Sequence, residues 1–583
     1  MSRENYWTKR VARRNVLGGA AVTGVGLAGL ALAGCGGSSS SKTPTAAAAG
    51  SPTAGASAGA SATAKSAASP TLVGVNATSG PEAANIPKDG TLKLRQAAPF
   101  ASINPYKGLD SGLTWGFLLF DHLWYTPLDT GIRENFLASS IEQPDPLHIN
   151  VKLQDAVFQN KAPANGRAIK ASDVKASLES AAKQTAISNS SWWTDTLDHI
   201  EAPDDHTVQF FLKQVDAWSF SSTNGGSPIA TSIMPEEIAT NVNFMDTDIV
   251  GSGRFQFVSA QNGANFTLKR NDLWRLKPQP YLAGIQYSLI QEQAAALAAF
   301  SAQQIDQVTP NNKLERDQLV SQLGDKVVID TDLSRAVWLI EPRGDGQWKD
   351  PRVNQAISMA LDRDQFIQLM SFGEGKKSGP VPPSFASQAL TEKEIADTYG
   401  KFDVATAKSM LAASGFDLTK TYQIKYYTPS DPEAQFAQII QSQLQKNLGI
   451  KTTLVGEQFG QWLAQSLYGS QFDGFIIYPT LAYDDPSSYI GIYAKNIGGR
   501  PNWSGFQNDE LDQLVTAQKA ILDDTQRNKA VHDIQLKAWT DGAPALPIFV
   551  PTTYTASWDY YKGQIKGRGS YGLFAGTWYI DKH

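Results

Sequence analysis

The stretch from residue 36 to residue 80 restricts the fold most, because it consists almost entirely of Ala, Gly, Ser, Thr and Pro. Its only charged residues are Lys42 and Lys65. Such a composition buries too little apolar surface to offset the entropy of an ordered chain. We therefore expect a flexible tether over 35–86, and a folded body whose ordinary globular texture begins at about Thr91.

The N-terminus has the pattern of a secretory signal. A basic region with Lys9, Arg10, Arg13 and Arg14 precedes an uncharged, apolar segment, Val16 to Ala33, which leads into Leu32-Ala33-Gly34-Cys35. This ending resembles the bacterial lipobox, in which the cysteine is acylated and becomes the first residue after cleavage. The resemblance predicts a lipoprotein signal peptide over 1–34 and lipid attachment at Cys35, the single cysteine of the chain.

Two alternatives concern the route and the anchor. Residues 16–33 have the lower limit of length for a retained transmembrane helix, although many of them are Gly and Ala. Arg13 and Arg14, followed by Asn15-Val16-Leu17, resemble a twin-arginine export motif. In each case the body is expected outside the cell and tethered to the membrane.

The body alternates strand and helix signals. Alternating apolar and polar residues predict strands over Leu147–Val157, Thr207–Leu212 and Phe266–Lys269. Capping residues predict three helices, which begin at Asp350-Pro351, at Asp403 (ending at Gly415) and at Asp431-Pro432 (ending at Gly449, before a strand from Ile450). This order predicts an α/β fold with a partly parallel sheet.

The composition argues against enzymes with metals or cofactors and against nucleic-acid binding. No histidine pair has metal-binding spacing, and a second cysteine is absent from the sequence. The dinucleotide-like Gly24–Gly29 lies in the signal, and the nucleophile-elbow-like Gly55–Gly59 lies in the tether. The formal net charge of −5 gives no basic surface for nucleic acid. We expect no catalytic residue, metal or cofactor, and a monomeric protein.

Eight segments, in order along the chain, resemble the extracellular solute-binding proteins of peptide-type ABC importers, solute-binding family 5. They are Asp173-Val174, Val250–Phe255, Leu268–Trp274, Ile305-Asp306, Asp350–Ala356 with Ala360–Arg363, Asp484–Tyr489, Asn502–Asn508 and Pro544–Ile548. The resemblance covers about Pro87 to Lys562.

The resemblance implies a two-lobed, periplasmic-binding-protein-like α/β fold with mixed sheets and an extra subdomain. It implies lobe I over 87–140, 216–335 and 546–583, an inserted subdomain over 141–215, and lobe II over 336–545. Strand crossings near Ser334–Ile340 and Pro547–Thr555 would form the hinge, which closes on the solute. The implied partners are a small solute and the permease subunits of an ABC transporter.

One position separates this chain from the peptide-binding members of the family. In those members an Asp just before the "Y-x-D-P" segment pairs with the α-ammonium of the peptide; the position here is Ala482. Asp484 replaces that carboxylate only if the loop shifts. Three interpretations remain open: a peptide importer subunit, the same fold binding an oligosaccharide or opine, and a ligand sensor for a membrane receptor.

Aromatic residues in the cleft-lining segments are the candidate solute contacts, because flat rings stack on sugars, apolar side chains and cations. The alternative for each is a place in a hydrophobic core, whereas we interpret Asp485 as a loop cap. With Asp484, the candidate ligand-binding residues are Trp115, Trp192, Trp193, Trp338, Tyr483 and Trp503.

Overall fold

The computed structural model describes residues 75–76, 85–100, 102–107, 115–125, 134–184, 192–219, 231–261, 264–428, 431–480, 485–497, 500–564 and 575–581. The predicted signal segment, Cys35 and the loop that contains Ala482, Tyr483 and Asp484 lie outside these residues. Among the described residues, no helix is long and apolar enough to cross a membrane.

Strands occur along the whole described body. In chain order they are β1 (Val75–Asn76), β2 (Thr91–Gln96), β3 (Trp124–Tyr125), β4 (Glu134–Asn135), β5 (Ala138–Asp145), β6 (His148–Leu153), β7 (Leu197–Asp204), β8 (Thr207–Leu212), β9 (Phe255–Gln261), β10 (Asn265–Arg270), β11 (Gly284–Leu289), β12 (Gln307–Val308), β13 (Val327–Leu333), β14 (Trp338–Pro342), β15 (Gly375–Lys377), β16 (Thr421–Thr428), β17 (Lys451–Gln458), β18 (Gly474–Pro479), β19 (Asn496–Ile497), β20 (Arg500–Pro501), β21 (Leu546–Trp558), β22 (Tyr561–Lys562) and β23 (Tyr579–Ile580).

Helices alternate with these strands. They are α1 (Ala171–Ala182), α2 (Glu236–Ala239), α3 (Gln293–Ser301), α4 (Lys313–Leu323), α5 (Pro351–Met359), α6 (Arg363–Ser371), α7 (Glu392–Asp397), α8 (Val404–Ser414), α9 (Asp431–Leu448), α10 (Phe459–Gln461), α11 (Ser487–Ile490), α12 (Asp509–Ala517) and α13 (Asp524–Thr540). Trp192–Thr196 and Trp462–Leu467 form π-helical turns, and short 3₁₀ turns cover Val242–Asp246, Gly324–Lys326, Gly346–Lys349, Gly491–Tyr493, Gln518–Ala520 and Ala575–Thr577.

A short strand lies within the segment expected to be a tether. Val75 and Asn76 form β1, which pairs in parallel with Glu134 and Asn135 of β4. In sequence, Leu72, Val73 and Val75 are the larger apolar residues of an otherwise small and polar stretch, and a β-branched valine favours a strand.

The first lobe contains two four-stranded sheets. One has the order β2-β11-β10-β9, with β2 and β11 parallel, and the other has the order β5-β6-β8-β7 and is antiparallel. In β2 the buried side chains alternate with exposed ones, as the two-residue period of a strand requires. A single large apolar core joins both sheets and α1.

The second lobe is built on a mixed sheet. The strands β14, β18, β16 and β17 are neighbours in that order, with β16 parallel to both β17 and β18. Helices α5 and α9 bury their apolar stripes on this sheet, including Val353, Ile357, Phe436 and Ile440. The predicted helices are confirmed, with Asp350 and Asp403 as N-caps and left-handed Gly415 as the C-cap.

Two chain segments connect the lobes. β21 is long enough to serve both: Leu546, Pro547 and Phe549 pair with β14, whereas Thr552 to Trp558 pair with β13. The second connection runs from β13 through residues 334–337 into β14. The fold is therefore two-lobed α/β with two crossing strands.

Side-chain contacts also join the lobes, two of them hydrogen bonds. Trp218, which follows the antiparallel sheet of the first lobe, donates its Nε1–H to Oε1 of Gln518 at 2.9 Å. Near the crossing strands, Arg316 of α4 donates to Oε1 of Glu374 at 2.8 Å.

Candidate functional site

The second lobe holds a cavity of about 420 Å³ beside the crossing strands. This volume is within the range of roughly 300–1,000 Å³ typical of small-molecule sites. Eight aromatic residues form much of its wall: Tyr427, Phe459, Trp462, Tyr468, Tyr478, Tyr489, Tyr493 and Trp503. Aliphatic residues complete it, with two hydroxyl side chains: Val337, Leu339, Pro380, Leu463, Leu467, Pro479, Thr480, Ser488, Ile492, Ile497, Ala545 and Pro547.

The central sheet separates this cavity from the helical core of the lobe. In β18, Ile476 and Tyr478 belong to the apolar cluster of the cavity side, whereas Phe475 and Ile477 belong to the helix-covered core. Side chains alternate between the two faces of a strand, so each strand supplies both layers. Ile476 and Tyr478 of the apolar strand β18 thus lie on the cavity side of the sheet, and Phe475 and Ile477 lie on the side of the helices.

The same alternation decides the position of Trp338. Leu339 lines the cavity, and its neighbour Trp338 packs on the opposite face against Phe436, with ring centroids 4.9 Å apart. Trp338 is therefore 8% exposed and lies in the helix-covered core. The sequence identifies β14 as a strand that contributes to the cavity. Which of its residues face the cavity depends on how the strand pairs with its neighbours.

Trp503 lies in the cavity wall, as one of the predicted contacts. Its indole Nε1–H donates to Oε2 of Glu341 at 2.7 Å, and the hydroxyl of Tyr478 donates to the same oxygen at 2.6 Å. Glu341 is fully buried, and its Oε1 has no hydrogen-bond partner among the described residues. Burial raises the pKa of Glu341 to about 7, against the hydrogen bonds that stabilise its carboxylate.

The loop around Trp503 is fixed by local polar contacts. The side-chain amide of Asn502 donates to the carbonyls of Ile492 and Ala494, both at 2.9 Å. Gly505 has a φ of +80°, and a Cβ at this position would lie 3.0 Å from Nη2 of Arg343. Both the left-handed backbone and the close guanidinium favour glycine here. The Asn-Trp-Ser-Gly sequence thus orients the indole toward Glu341.

A cluster of rings forms another part of the wall. Trp462 lies in a π-helical turn, 5.1 Å from the ring of Tyr427 and 5.9 Å from that of Tyr478. Phe459 stacks on Trp462 at 6.2 Å. Sequence reasoning did not single out Trp462, Tyr427 or Glu341. The charged Glu341 within the apolar strand Trp338–Pro342 was a usable signal, because a buried charge needs a reason.

The other three predicted tryptophans, Trp115, Trp192 and Trp193, lie in the core of the first lobe and do not line this cavity. Trp115 is fully buried and stacks on Phe266 with ring centroids 3.9 Å apart. Trp192 and Trp193 are 8% and 9% exposed and belong to the same first-lobe core, and Trp192 donates its Nε1–H to Ser219 at 3.0 Å. The structure does not bring these three residues together with Trp503.

The remaining predicted site residues lie outside the described part of the chain, whereas Asp485, which we interpreted as a loop cap, lies within it. Tyr483, Asp484 and Cys35 lie outside it. Asp485 accepts hydrogen bonds from the backbone N–H and the hydroxyl of Ser488, both at 3.0 Å, so it caps the short helix that follows. Within the described residues, no group of three or more His, Cys, Asp or Glu could hold a metal ion.

Comparisons with known sequences agree with this architecture. The profile of the bacterial extracellular solute-binding proteins, family 5 middle, matches residues 134–499. The oligopeptide-binding protein AppA of Bacillus subtilis is 25% identical over 388 residues, which cover 62% of this chain and 68% of AppA. The periplasmic oligopeptide-binding protein OppA of Salmonella typhimurium is 23% identical over 339 residues, 57% of this chain and 61% of OppA.

Solved structures have the same fold. AppA from Bacillus subtilis in complex with a nonapeptide superposes with a TM-score of 0.69 at 22% identity, over 85% of this chain and 100% of that one. AgaA from A. tumefaciens R10 in complex with agropinic acid gives a TM-score of 0.67 at 20% identity, over 85% and 98%. The family profile matches more than half of this chain. The chain therefore belongs to the bacterial extracellular solute-binding proteins of family 5.

Proposed function

We propose that this chain captures a solute between its two lobes outside the cell and delivers it to the permease of an ABC importer. Membership of the solute-binding family supports this proposal, and the relatives AppA and OppA are named for oligopeptide binding. We propose a binding role without catalysis, for a monomer made of the lobe I, insert and lobe II segments expected from the sequence.

The observation that carries the proposal is the position of the cavity at the crossing strands. Val337, in the connection from β13 to β14, and Pro547, at the start of β21, both line it. A rotation about these connections moves the first lobe relative to the cavity wall. A ligand that contacts both lobes only when they are closed shifts the equilibrium toward the closed form.

A peptide or peptide-like compound is the first candidate solute, following the names of the relatives. A non-peptide solute such as an opine is the second candidate, because AgaA was solved with agropinic acid and Ala482 lacks a carboxylate for an α-ammonium group. Tyr483, Asp484 and Trp503 remain proposed solute contacts. The first two follow Thr480, a cavity residue, in sequence.

We further propose that the protein is exported, cleaved before Cys35 and held at the outer face of the cell membrane by lipid on Cys35. The basic, apolar and Leu-Ala-Gly-Cys segments support this arrangement.

A thermal-shift screen of the full chain in mild detergent tests the function. Defined peptide pools, opines and oligosaccharides are added, and a ligand at 100 times its dissociation constant stabilises the fold by about 2.7 kcal/mol. We expect at least one peptide pool to raise the melting temperature. A shift with an opine or sugar alone rejects peptides as the solute, and no shift with any class rejects solute capture.

A further inference from the structure

We infer that the second-lobe cavity receives an uncharged apolar or aromatic group of the solute. This inference rests on the proposed function and defines the solute class more narrowly. The first observation is chemical: among the described residues that line the cavity, none is Asp, Glu, Lys, Arg or His. An unpaired charge moved from water into such a wall would lose its hydration without a counter-ion.

Charged side chains near the cavity wall are paired with protein groups. Glu341 accepts hydrogen bonds from two wall residues, Tyr478 and Trp503. Behind the π-helical turn, Lys425 and Glu457 form an ion pair at 3.0 Å, with exposures of 12% and 9%. Oε2 of Glu341 and the Lys425–Glu457 pair already have partners, so a charged solute group in the cavity would have to compete for them.

Three of the wall tyrosines, Tyr427, Tyr489 and Tyr493, direct their hydroxyl groups to acceptors in the protein. The hydroxyl of Tyr489 donates to the carbonyl of Arg335 at 2.9 Å, and that of Tyr493 donates to the carbonyl of Ala545 at 3.1 Å. Tyr427 donates to the carboxylate of Glu433. Their ring carbons are therefore left to face the cavity, so this part of the wall is apolar even though its residues are nominally polar.

One wall donor lacks an acceptor. Nε1 of Trp462 is buried and has no hydrogen-bond partner among the described residues. Buried donors are normally paired, and a bound solute is one way to supply the acceptor. A carbonyl or ether oxygen on an otherwise apolar group meets this requirement without introducing charge.

The size of the cavity fits this class. A volume of about 420 Å³ accommodates a large apolar side chain. An aromatic side chain that enters it buries about 150–250 Å² of surface. Trp462, Tyr478 and Trp503 line the cavity, so a group that enters it can contact their rings. The largest solute group that enters here is thus expected to dominate the affinity.

The test compares solutes that differ in one group. Tripeptides of alanine, with each position replaced in turn by Phe, Leu, Asp or Lys, are titrated into the full chain. N-phenyl-1-naphthylamine, a neutral aromatic dye, serves as a peptide-independent probe. We expect the best Phe or Leu peptide to bind at least 10-fold more tightly than its Asp and Lys counterparts, and the dye to bind.

The variant Leu463→Glu places a carboxylate in the wall and is expected to weaken the best apolar peptide and the dye at least 10-fold. Leu463→Asn, a milder change, covers the possibility that the charged variant does not fold. Leu514→Glu, at a 38% exposed leucine of the same lobe, is the matched control and should change binding less than twofold.

The outcomes separate the two proposals. An Asp or Lys peptide that binds as tightly as the Phe peptide overturns the inference and leaves solute capture intact, as does a set of Leu463 variants with unchanged affinity. If no peptide binds but the dye binds and Leu463→Glu or Leu463→Asn abolishes it, the peptide function fails and the apolar cavity stands. Absence of dye and apolar-peptide binding overturns the inference.

Discussion

Glu341 offers a quantitative test of the site, because a buried carboxyl group makes stability depend on pH. Its pKa is raised by burial from the ordinary value of 4.5 to about 7. The folded protein therefore holds this proton more tightly than the unfolded chain does. The associated stabilisation is fully present below about pH 4.5 and is lost as the pH rises through about 7.

The magnitude follows from the two pKa values. One pKa unit corresponds to about 1.4 kcal/mol, so the difference between 4.5 and about 7 amounts to about 3 kcal/mol. Glu341→Gln removes the ionisable group, and the amide oxygen can still accept from Tyr478 and Trp503. The free energy of unfolding of the wild type, minus that of the variant, should fall by about 3 kcal/mol from pH 4.5 to pH 8.

Urea unfolding followed by tryptophan fluorescence at several pH values measures this difference. Glu374→Gln is a control of opposite sign. Burial pushes the pKa of Glu374 upward, but hydrogen bonds from Tyr554 and Arg316 outweigh this effect and hold the pKa below its usual value. The wild type should therefore gain stability over Glu374→Gln as pH rises. A wild-type minus Glu341→Gln difference that is flat or increases with pH would refute the buried-carboxyl reasoning.

Three further changes test other parts of the account. Gly505→Ala should destabilise the second lobe by about 1–3 kcal/mol in urea unfolding, because it strains a left-handed backbone position, and an unchanged midpoint would contradict this. Gln518→Leu removes the acceptor of the interlobe hydrogen bond from Trp218. It should weaken solute binding by up to about 10-fold in calorimetric titration. Equal affinity of the variant and the wild type would show that this hydrogen bond does not favour the solute-bound arrangement of the lobes. Cys35→Ser should shift the cleaved protein from the membrane to the soluble fraction in cell fractionation while leaving solute binding unchanged, whereas membrane retention would reject the lipid anchor.

The helices of the second lobe were predictable because their signals are local. Asp350 with Pro351, and Asp403 with Gly415, mark helix ends through contacts within one turn. The helix that begins at Pro351 is short, since α5 ends at Met359 and α6 begins at Arg363. Arg363 is buried and donates to the carbonyl of Pro547 at 3.0 Å, a contact 184 residues away that no local pattern reveals.

The cavity was only partly predictable for the same reason. Trp503 belongs to a recognisable motif and lies in the wall, but its neighbours across the cavity come from distant strands and turns. Whether Trp338 or Leu339 faces the solute depends on how β14 pairs with β18 and β21. The bond between Trp503 and Glu341 spans 162 residues and likewise depends on tertiary packing.

Isothermal titration calorimetry of the full chain with its best apolar tripeptide tests solute capture most directly. We predict saturable binding of one peptide per chain, with a negative heat-capacity change that reports burial of apolar surface. Leu463→Glu should abolish this heat, and Leu514→Glu should preserve it. Absence of saturable heat for every tripeptide in the set, with an opine or oligosaccharide binding instead, would contradict the account of a peptide-capturing protein.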